Sequence, residues 1–189
     1  CDLTDNHAEA MGGGIGAFGG ELHLENCTVT TNTTSGDGGG LAAWRYCDIT
    51  MSGTTLSGNA AVDDGGGMMV SESTVSAEQC NVLSNTSAEE GGGLFLREAR
   101  TSWSNCSIKN NIAGQESGGI HCDPLTSVAL LETVVCGNQP TQIHGSWQAL
   151  NNACINPICD SCGSSDGDGV LEVPSEYPTI QDAINAAGD

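Results

Sequence analysis

A run of glycines recurs along the chain at a nearly constant interval, and this repeat limits the folds that the chain can adopt. The runs begin at Gly12, Gly38, Gly65, Gly91 and Ser117, so the steps between them are 26, 27, 26 and 26 residues. A second motif keeps the same phase and places an apolar residue three positions before an asparagine. These asparagines are Asn6, Asn32, Asn59, Asn85, Asn111 and Asn138. Two motifs in one phase indicate a solenoid, in which each repeat covers the apolar face of the next.

Within each repeat the apolar residues alternate as they do in a β-strand. An aliphatic residue follows each glycine run, and a small or apolar residue stands two positions later, as in Leu41/Ala43. Alternation places both side chains on one face, here the interior. Two more alternating pieces follow in each repeat, and no helical spacing occurs before the last dozen residues. The sequence predicts an all-β parallel β-helix solenoid with about 26 residues per coil, plus a short C-terminal amphipathic helix.

The repeated residues have mechanical roles in such a solenoid. Consecutive glycines allow a tight corner with positive φ and no Cβ clash between stacked coils. The asparagine column predicts an amide ladder in which each side chain donates to the next coil. Asparagine also tolerates the left-handed backbone conformation, so we expect it to supply the bend at its own corner.

The two motifs together also carry a family resemblance. The pairing of GGGI, GGGL or GGGM with the asparagine motif resembles the GGA[I/L/V] and FxxN repeats of polymorphic outer membrane proteins. More widely, it is similar to the right-handed β-helix repeats of the pectin-lyase-like fold. The resemblance covers residues 1–138, with a third glycine in place of alanine and Leu, Val or Ile in place of phenylalanine. It implies right-handed coiling, as does the general crossover preference.

The charge of the chain excludes some partners. Four basic and 24 acidic residues give a formal net charge of −20. Binding to nucleic acid or to an anionic membrane surface relies on basic patches, so neither partner is expected, and no apolar run suggests membrane insertion. Phased aliphatic residues separate this chain from a disordered acidic one.

Ten cysteines indicate an oxidising, extracellular setting, so we expect a secreted or cell-surface protein. Four cysteines share one column of the repeat, in which Thr54 and Thr133 occupy other rungs: Cys1, Cys27, Cys80 and Cys106. Two interpretations stay open for this column, a ladder of buried thiols or the bridges Cys1–Cys27 or Cys80–Cys106. The cysteines outside the column are expected to form structural disulfides, and a zinc or redox site at CDSC is the less favoured alternative: Cys136, Cys154, Cys159 and Cys162.

The chain divides into three parts by its pattern. Residues 1–138 carry the coils, and residues 139–169 are predicted to form a cap and an acidic, cysteine-containing linker, with Ile143, Trp147 and Leu150 in the cap. Residues 170–189 predict a strand and a capping helix and resemble the entry to a second β-helix. We therefore expect a larger parent protein with tandem β-helices.

Carboxylates recur just before each glycine corner and form the candidate metal site. The candidate ligands in this row are Asp37, Asp63, Asp64, Glu89, Glu90 and Glu116. Calcium ions between the rungs would relieve the repulsion of like charges, and a solvated acidic edge is the alternative. Asp166 and Asp168 are a second, weaker calcium candidate beside a plain linker interpretation. The four histidines share no column at a 26-residue period and are predicted to be solvated: His7, His23, His121 and His144.

Enzymes occur on this fold, so catalytic groups must be considered. A lyase needs a basic residue near the sugar, for which Arg97 and Arg100 beside Glu98 are the candidates, and a hydrolase needs two close carboxylates. The acidic row repeats on every coil, whereas a catalytic pair should occur once. We therefore predict an extracellular structural or adhesive module of a larger surface or filament-forming protein, without catalytic residues or an obligatory cofactor. Its expected partners are other copies, neighbouring β-helix domains or surface carbohydrate. The alternative is a carbohydrate-binding or carbohydrate-cleaving module.

Overall fold

The protein is an all-β parallel solenoid of about six turns, which confirms the predicted fold class. The structure, a computed structural model, describes residues 1–159 and 162. The strands of successive coils pair in parallel and in register, so that Leu41 stands beside Met68 and Met68 beside Leu94. The predicted C-terminal helix lies outside the described residues.

Three parallel sheets form the walls of the solenoid, and the strands are numbered in chain order. Sheet I carries the asparagine motif and comprises β1 (Asp2–Thr4), β4 (Thr28–Thr30), β7 (Thr55–Ser57), β11 (Asn81–Leu83), β15 (Ser107–Lys109), β19 (Val134–Cys136) and β22 (Cys154–Asn156). Sheet III follows each asparagine and comprises β2 (His7–Ala8), β5 (Thr33–Thr34), β8 (Ala60–Ala61), β12 (Thr86–Ser87) and β16 (Ile112–Ala113).

Sheet II follows the glycine corner and is the widest wall. Its first two coils are single long strands, and later coils break into two short strands at an extra corner. It comprises β3 (Ile15–Glu25), β6 (Leu41–Ser52), β9 (Met68–Ser71), β10 (Thr74–Glu78), β13 (Leu94–Arg97), β14 (Arg100–Ser104), β17 (Ile120–Cys122), β18 (Ser127–Leu131), β20 (Ile143–His144) and β21 (Trp147–Leu150).

The core is one continuous column of side chains that point inward from the walls of the solenoid. Leu94 and Leu96 of β13, Trp103 of β14 and Ile108 of β15 are each fully buried in one coil. The alternation that the sequence predicts is therefore confirmed, because inward positions are buried and their neighbours on the same strand face outward. Hydrophobic burial along this column, at roughly 25 cal/mol per Å² of apolar surface, drives the coils together.

Each corner bends at the residue that precedes a buried column. The ladder asparagines themselves do not have positive φ; the residues before them do, and these are Asp5, Thr31, Gly58, Ser84, Asn110 and Gly137. The expectation that asparagine supplies the left-handed bend is therefore wrong. The physical reason is that the asparagine side chain must point inward to reach the next coil, and the preceding left-handed residue turns it there.

The sheets continue past Asn138. Strands β20, β21 and β22 pair with β17, β18 and β19, so Ile143, Trp147 and Leu150 lie on a further coil rather than on a separate cap. This coil is shorter than the others, since Ile120 pairs with Ile143, only 23 positions later. Because of this shortening, the residues of the last coil do not fall at the 26-residue period of the earlier coils. The coils thus extend beyond the predicted boundary at Asn138, and the linker and second β-helix stay a prediction.

The cysteines form three disulfides and four buried thiols. The bridges are Cys1–Cys27, Cys136–Cys159 and Cys154–Cys162, and the thiols are Cys47, Cys80, Cys106 and Cys122. The predicted alternative bridge Cys80–Cys106 is not formed, because each of these thiols donates to a carbonyl of its own coil. Cys159 and Cys162 bond to different partners, so CDSC is not a paired redox or chelating motif.

Candidate functional site

The asparagine column forms a continuous buried amide ladder. Asn85 Oδ1 accepts hydrogen bonds from the backbone N–H (2.9 Å) and from Nδ2 (3.0 Å) of Asn59 in the preceding coil. Asn85 Nδ2 donates to Leu56 O at 3.0 Å and to Asn111 Oδ1 at 3.0 Å. The same contacts recur from Asn32 to Asn138, where Gln142 Oε1 replaces the next asparagine, whereas the side chain of the exposed first rung, Asn6, only donates to Asn32 Oδ1. These amides are saturated by the solenoid itself, so they have no capacity left for a ligand.

The cysteine column is a second ladder, in which thiol and hydroxyl groups make equivalent hydrogen bonds. Thr54 Oγ1, Cys80 Sγ and Thr133 Oγ1 each donate to the carbonyl two residues earlier, at 3.2, 3.2 and 2.9 Å. Cys106 Sγ in turn accepts from the backbone N–H of Cys80 at 3.3 Å. This shared geometry explains why threonine replaces cysteine at some rungs. The column is therefore structural.

The acidic row differs from coil to coil in how far it is buried. Asp37 Oδ1 accepts from the N–H of Asp64 at 3.1 Å, and Asp64 Oδ1 accepts from the N–H of Glu90 at 2.9 Å. Partial burial raises the pKa of Asp64 to about 6; the Glu90 N–H opposes this rise, and the charge of Asp37 adds to it. Burial also raises the pKa of Asp37. Asp63 and Glu89 face solvent. Calcium in this row stays a prediction, and Asp166 and Asp168 lie outside the described residues.

We expect Asp64→Asn to stabilise the protein at neutral pH. Because the pKa of Asp64 is higher in the folded than in the unfolded protein, its protonated carboxyl favours the folded state. That contribution is complete at pH values below the unfolded pKa near 3.8 and is lost as the pH rises through the folded pKa of about 6. The asparagine amide keeps an oxygen for the Glu90 N–H and carries no charge. Unfolding free energies should favour the variant by on the order of 1 kcal/mol at pH 7, after discounting for solvent screening, and should converge with wild type near pH 4.

The exposed neighbour Asp63 supplies the control for this change. Asp63→Asn removes one negative charge at the neighbouring residue, so it measures the general effect of making the protein less negative. Denaturant titrations of both variants from pH 4 to pH 7 separate the two effects. Equal gains in both variants, or a gain at Asp64 that does not depend on pH, would contradict the assignment.

Two histidines that the sequence treats as unrelated lie side by side. His121 of β17 pairs in register with His144 of β20, and their rings stack at 5.0 Å between centroids with 12° between planes. The prediction that the histidines share no column is wrong for this pair, because the short last coil brings them together. Phe95 stacks on the other face of His121 at 5.2 Å. His7 and His23, by contrast, are exposed on separate coils.

Carboxylates contact both histidines of this pair. His121 Nε2 lies 3.2 Å from Glu90 Oε2, and Glu116 Oε2 lies 3.3 Å from His144 Nε2 and 3.8 Å from His121 Nδ1. His121 Nδ1 is buried without a hydrogen-bond partner. Burial lowers the pKa of His121, against the raising effect of Glu90. One ligand atom from each of Glu116, His121 and His144 can be chosen so that all three lie within 4.8 Å of one another.

The basic side chains do not form a lyase-like centre within residues 1–159. Arg97 Nε donates to Ser71 Oγ at 3.3 Å, and no arginine or lysine of the described chain forms an ion pair with a carboxylate. Beside Arg97, the Glu98 N–H donates to Asp123 Oδ1 at 3.2 Å. Burial raises the pKa of Asp123, but hydrogen bonds from Thr126 and from the Glu98 backbone outweigh it and lower the pKa overall. Asp123 is thereby held as a turn-forming acceptor.

An exposed aromatic cluster lies on the outer surface where the repeat is interrupted. One inserted residue in β6 shifts its register against β3 between Phe18 and Gly20, and both Arg45 and Tyr46 have positive φ. Phe18 is 60% exposed and Tyr46 81% exposed. Phe18 meets Trp44 edge to face at 5.6 Å, and the Arg45 guanidinium lies 5.1 Å from the Phe18 centroid. We call these four residues the aromatic patch. The interval of 27 between two glycine runs was its only sequence signal.

Comparisons with known proteins place the fold but not the activity. A family model described as "Right handed beta helix region" matches residues 1–155. No curated protein and no solved structure matches the chain. The resemblance to outer membrane protein repeats and to pectin-lyase-like proteins therefore stays a prediction. In the described part of the chain, no helix has the length and apolar character needed to cross a membrane.

Proposed function

Because the chain belongs to the right-handed β-helix family, we propose that it is an extracellular structural and adhesive module of a larger protein, without catalysis of its own. The aromatic patch is the observation that carries this proposal. A rigid parallel solenoid holds the patch in a fixed position, and surface clusters of large apolar side chains mark interaction sites. Two consecutive non-glycine residues with positive φ, Arg45 and Tyr46, are costly, and such strain concentrates at functional positions.

Surface carbohydrate is the partner that this patch suits. Phe18, Trp44 and Tyr46 offer flat apolar faces, and the tyrosine hydroxyl and indole N–H add polar edges. The formal charge of −20 disfavours polyanionic polysaccharides, so we expect neutral ones to bind best. The saturated ladders and the absence of an arginine–carboxylate pair in residues 1–159 favour binding over cleavage.

Binding to immobilised neutral polysaccharides tests the proposal. We expect the double variant Phe18→Ser/Tyr46→Asn to bind at least about 10-fold more weakly than wild type, since truncating central aromatic residues commonly costs 2 kcal/mol or more. Leu125→Ser removes an exposed apolar side chain (75% exposed) from another corner and should bind like wild type.

Three results would count against the proposal. Wild-type protein that binds no neutral polysaccharide would remove the assigned partner, and equal binding by the double variant would remove the patch. New reducing ends or unsaturated sugars released from the bound polysaccharide would show catalysis and favour the alternative, a carbohydrate-cleaving module. Binding of soluble protein to immobilised wild-type protein in the same assay measures self-association. We expect the double variant to bind immobilised protein as wild type does.

A further inference from the structure

We propose that Glu116, His121 and His144 form a binding site for a divalent transition metal ion of the zinc type. Imidazole nitrogens with one carboxylate oxygen are donors that zinc and its neighbours accept, whereas calcium and magnesium prefer oxygen ligands alone. The site lies on the outer face of sheet II and is distinct from the aromatic patch. It does not depend on the proposed adhesive function.

The buried nitrogen of His121 is the first argument for the site. His121 Nε2 faces Glu90 Oε2 at 3.2 Å, so that contact favours a proton on Nε2 and leaves a lone pair on Nδ1. Nδ1 is buried, has no hydrogen-bond partner and lies 3.8 Å from Glu116 Oε2. An acceptor left unsatisfied in this way is costly, and a bound cation would satisfy it.

The arrangement of Glu90 supports the same conclusion. Histidine ligands of metal ions usually donate their other ring N–H to a carboxylate, which fixes the tautomer and the ring orientation. Glu90 occupies that position for His121, and Phe95 holds the opposite face of the ring. The side chain of His121 is only 12% exposed, so its orientation is fixed before an ion arrives.

The distances are close to those of a tetrahedral ion. With ligand bonds of about 2.0–2.2 Å, ligand atoms around tetrahedral zinc stand about 3.3–3.6 Å apart. Glu116 Oε2 is 3.3 Å from His144 Nε2 and 3.8 Å from His121 Nδ1, and the three ligand atoms span at most 4.8 Å. The stacked rings are nearly parallel, so His144 must turn to direct its lone pair at the ion. Its side chain is 52% exposed, which leaves room for the turn.

The three ligands come together because the last coil is short. His121 and His144 stand on paired strands, and Glu116 precedes the corner at Ser117, whose φ is 42°. Three protein ligands leave a fourth position on the solvent side, which water would fill. The other acidic corners lack a histidine pair, so the site occurs once in the described part of the solenoid.

Zinc titration of tag-free protein by calorimetry tests the proposal. We expect one zinc ion per chain, with binding weakened by more than about 100-fold in His144→Gln and in Glu116→Gln, a larger loss than the 10- to 100-fold typical of outer partners. Glu90→Gln should keep the stoichiometry and lose about 10- to 100-fold. His23→Gln is the matched control, because His23 also lies near a glutamate, Glu21 at 3.6 Å, but belongs to no cluster.

Cobalt substitution identifies the ligands independently. Co²⁺ should show the visible absorption of a four-coordinate ion without a thiolate charge-transfer band, and NMR should assign the coordinated nitrogen of His121 as Nδ1. Excess Ca²⁺ should not displace it. The proposal is overturned if wild type binds no zinc, if both ligand variants retain wild-type affinity, if His23→Gln loses as much as they do, or if a thiolate band places the ion at a cysteine. Circular dichroism of each variant confirms that exposed-site changes leave the fold intact.

Discussion

Gly66→Ala will destabilise the solenoid by at least about 3 kcal/mol, at the upper end of the usual cost of overpacking. A Cβ at this position would collide with the carbonyl group of Thr86 and would stand 2.5 Å from Gly92 O. These are backbone atoms of the adjacent coil, so no side-chain rotation relieves the clash. Separating these two coils would lengthen the hydrogen bonds between them, from Gly66 N–H to Gly91 O (3.2 Å) and from Gly67 N–H to Gly92 O (3.1 Å).

The same substitution elsewhere provides the control. Gly16 lies on the open face of β3, its φ is not in the left-handed region, and the nearest atom to an added Cβ is Met11 O at 3.8 Å. Gly16→Ala should be neutral or slightly stabilising, since alanine reduces the freedom of the unfolded chain. Urea denaturation followed by far-UV circular dichroism compares the two. If Gly66→Ala has the same urea midpoint as wild type, the glycine corner can accommodate a Cβ and the prediction is wrong.

Much of the fold could be predicted because its causes are local and repeated. The alternation of Leu94 and Leu96 indicates which face of the strand is inward, and equivalent pairs follow the glycine run in all five repeats. The third glycine, which departs from the GGA motif, also has a visible cause: a Cβ on Gly67 would stand 2.6 Å from Gly93 O. Repetition thus averages out the ambiguity of any single short strand.

What escaped prediction depends on breaks in the period. A one-residue insertion at Arg45 created the aromatic patch, and a short last coil brought His144 beside His121. Disulfide pairing depends on three-dimensional distances that a period alone does not give. The left-handed residues were misplaced by one position, since composition indicates that a corner exists but not which residue turns it. The ladder amides inside the solenoid hydrogen-bond from coil to coil, whereas the aromatic patch and the histidine pair both lie where the repeat is irregular.

This logic predicts that the regular ladder contributes to stability and not to binding. Asn85→Ala should destabilise the protein by about 3–5 kcal/mol, because Asn85 is fully buried and its side chain makes four hydrogen bonds. Its removal leaves the Asn59 N–H, Leu56 O and Asn111 Oδ1 each short of one hydrogen-bond partner. Each such buried group costs about 1–3 kcal/mol, and relaxation of the cavity recovers part of the sum.

Two other asparagines separate the ladder from a general effect of the substitution. Asn81→Ala changes a half-buried side chain in the adjacent strand β11 that makes no hydrogen bond to the described residues, so it should cost less than about 1 kcal/mol. Asn6→Ala removes an exposed terminal rung that only donates to Asn32 Oδ1, and should cost about the same. Thermal and urea unfolding of the three variants should therefore rank Asn85 far above the other two. Similar losses at Asn6 and Asn85 would mean that neither the burial of the Asn85 amide nor its additional hydrogen bonds stabilise the coil stack, which would contradict the role assigned to the ladder.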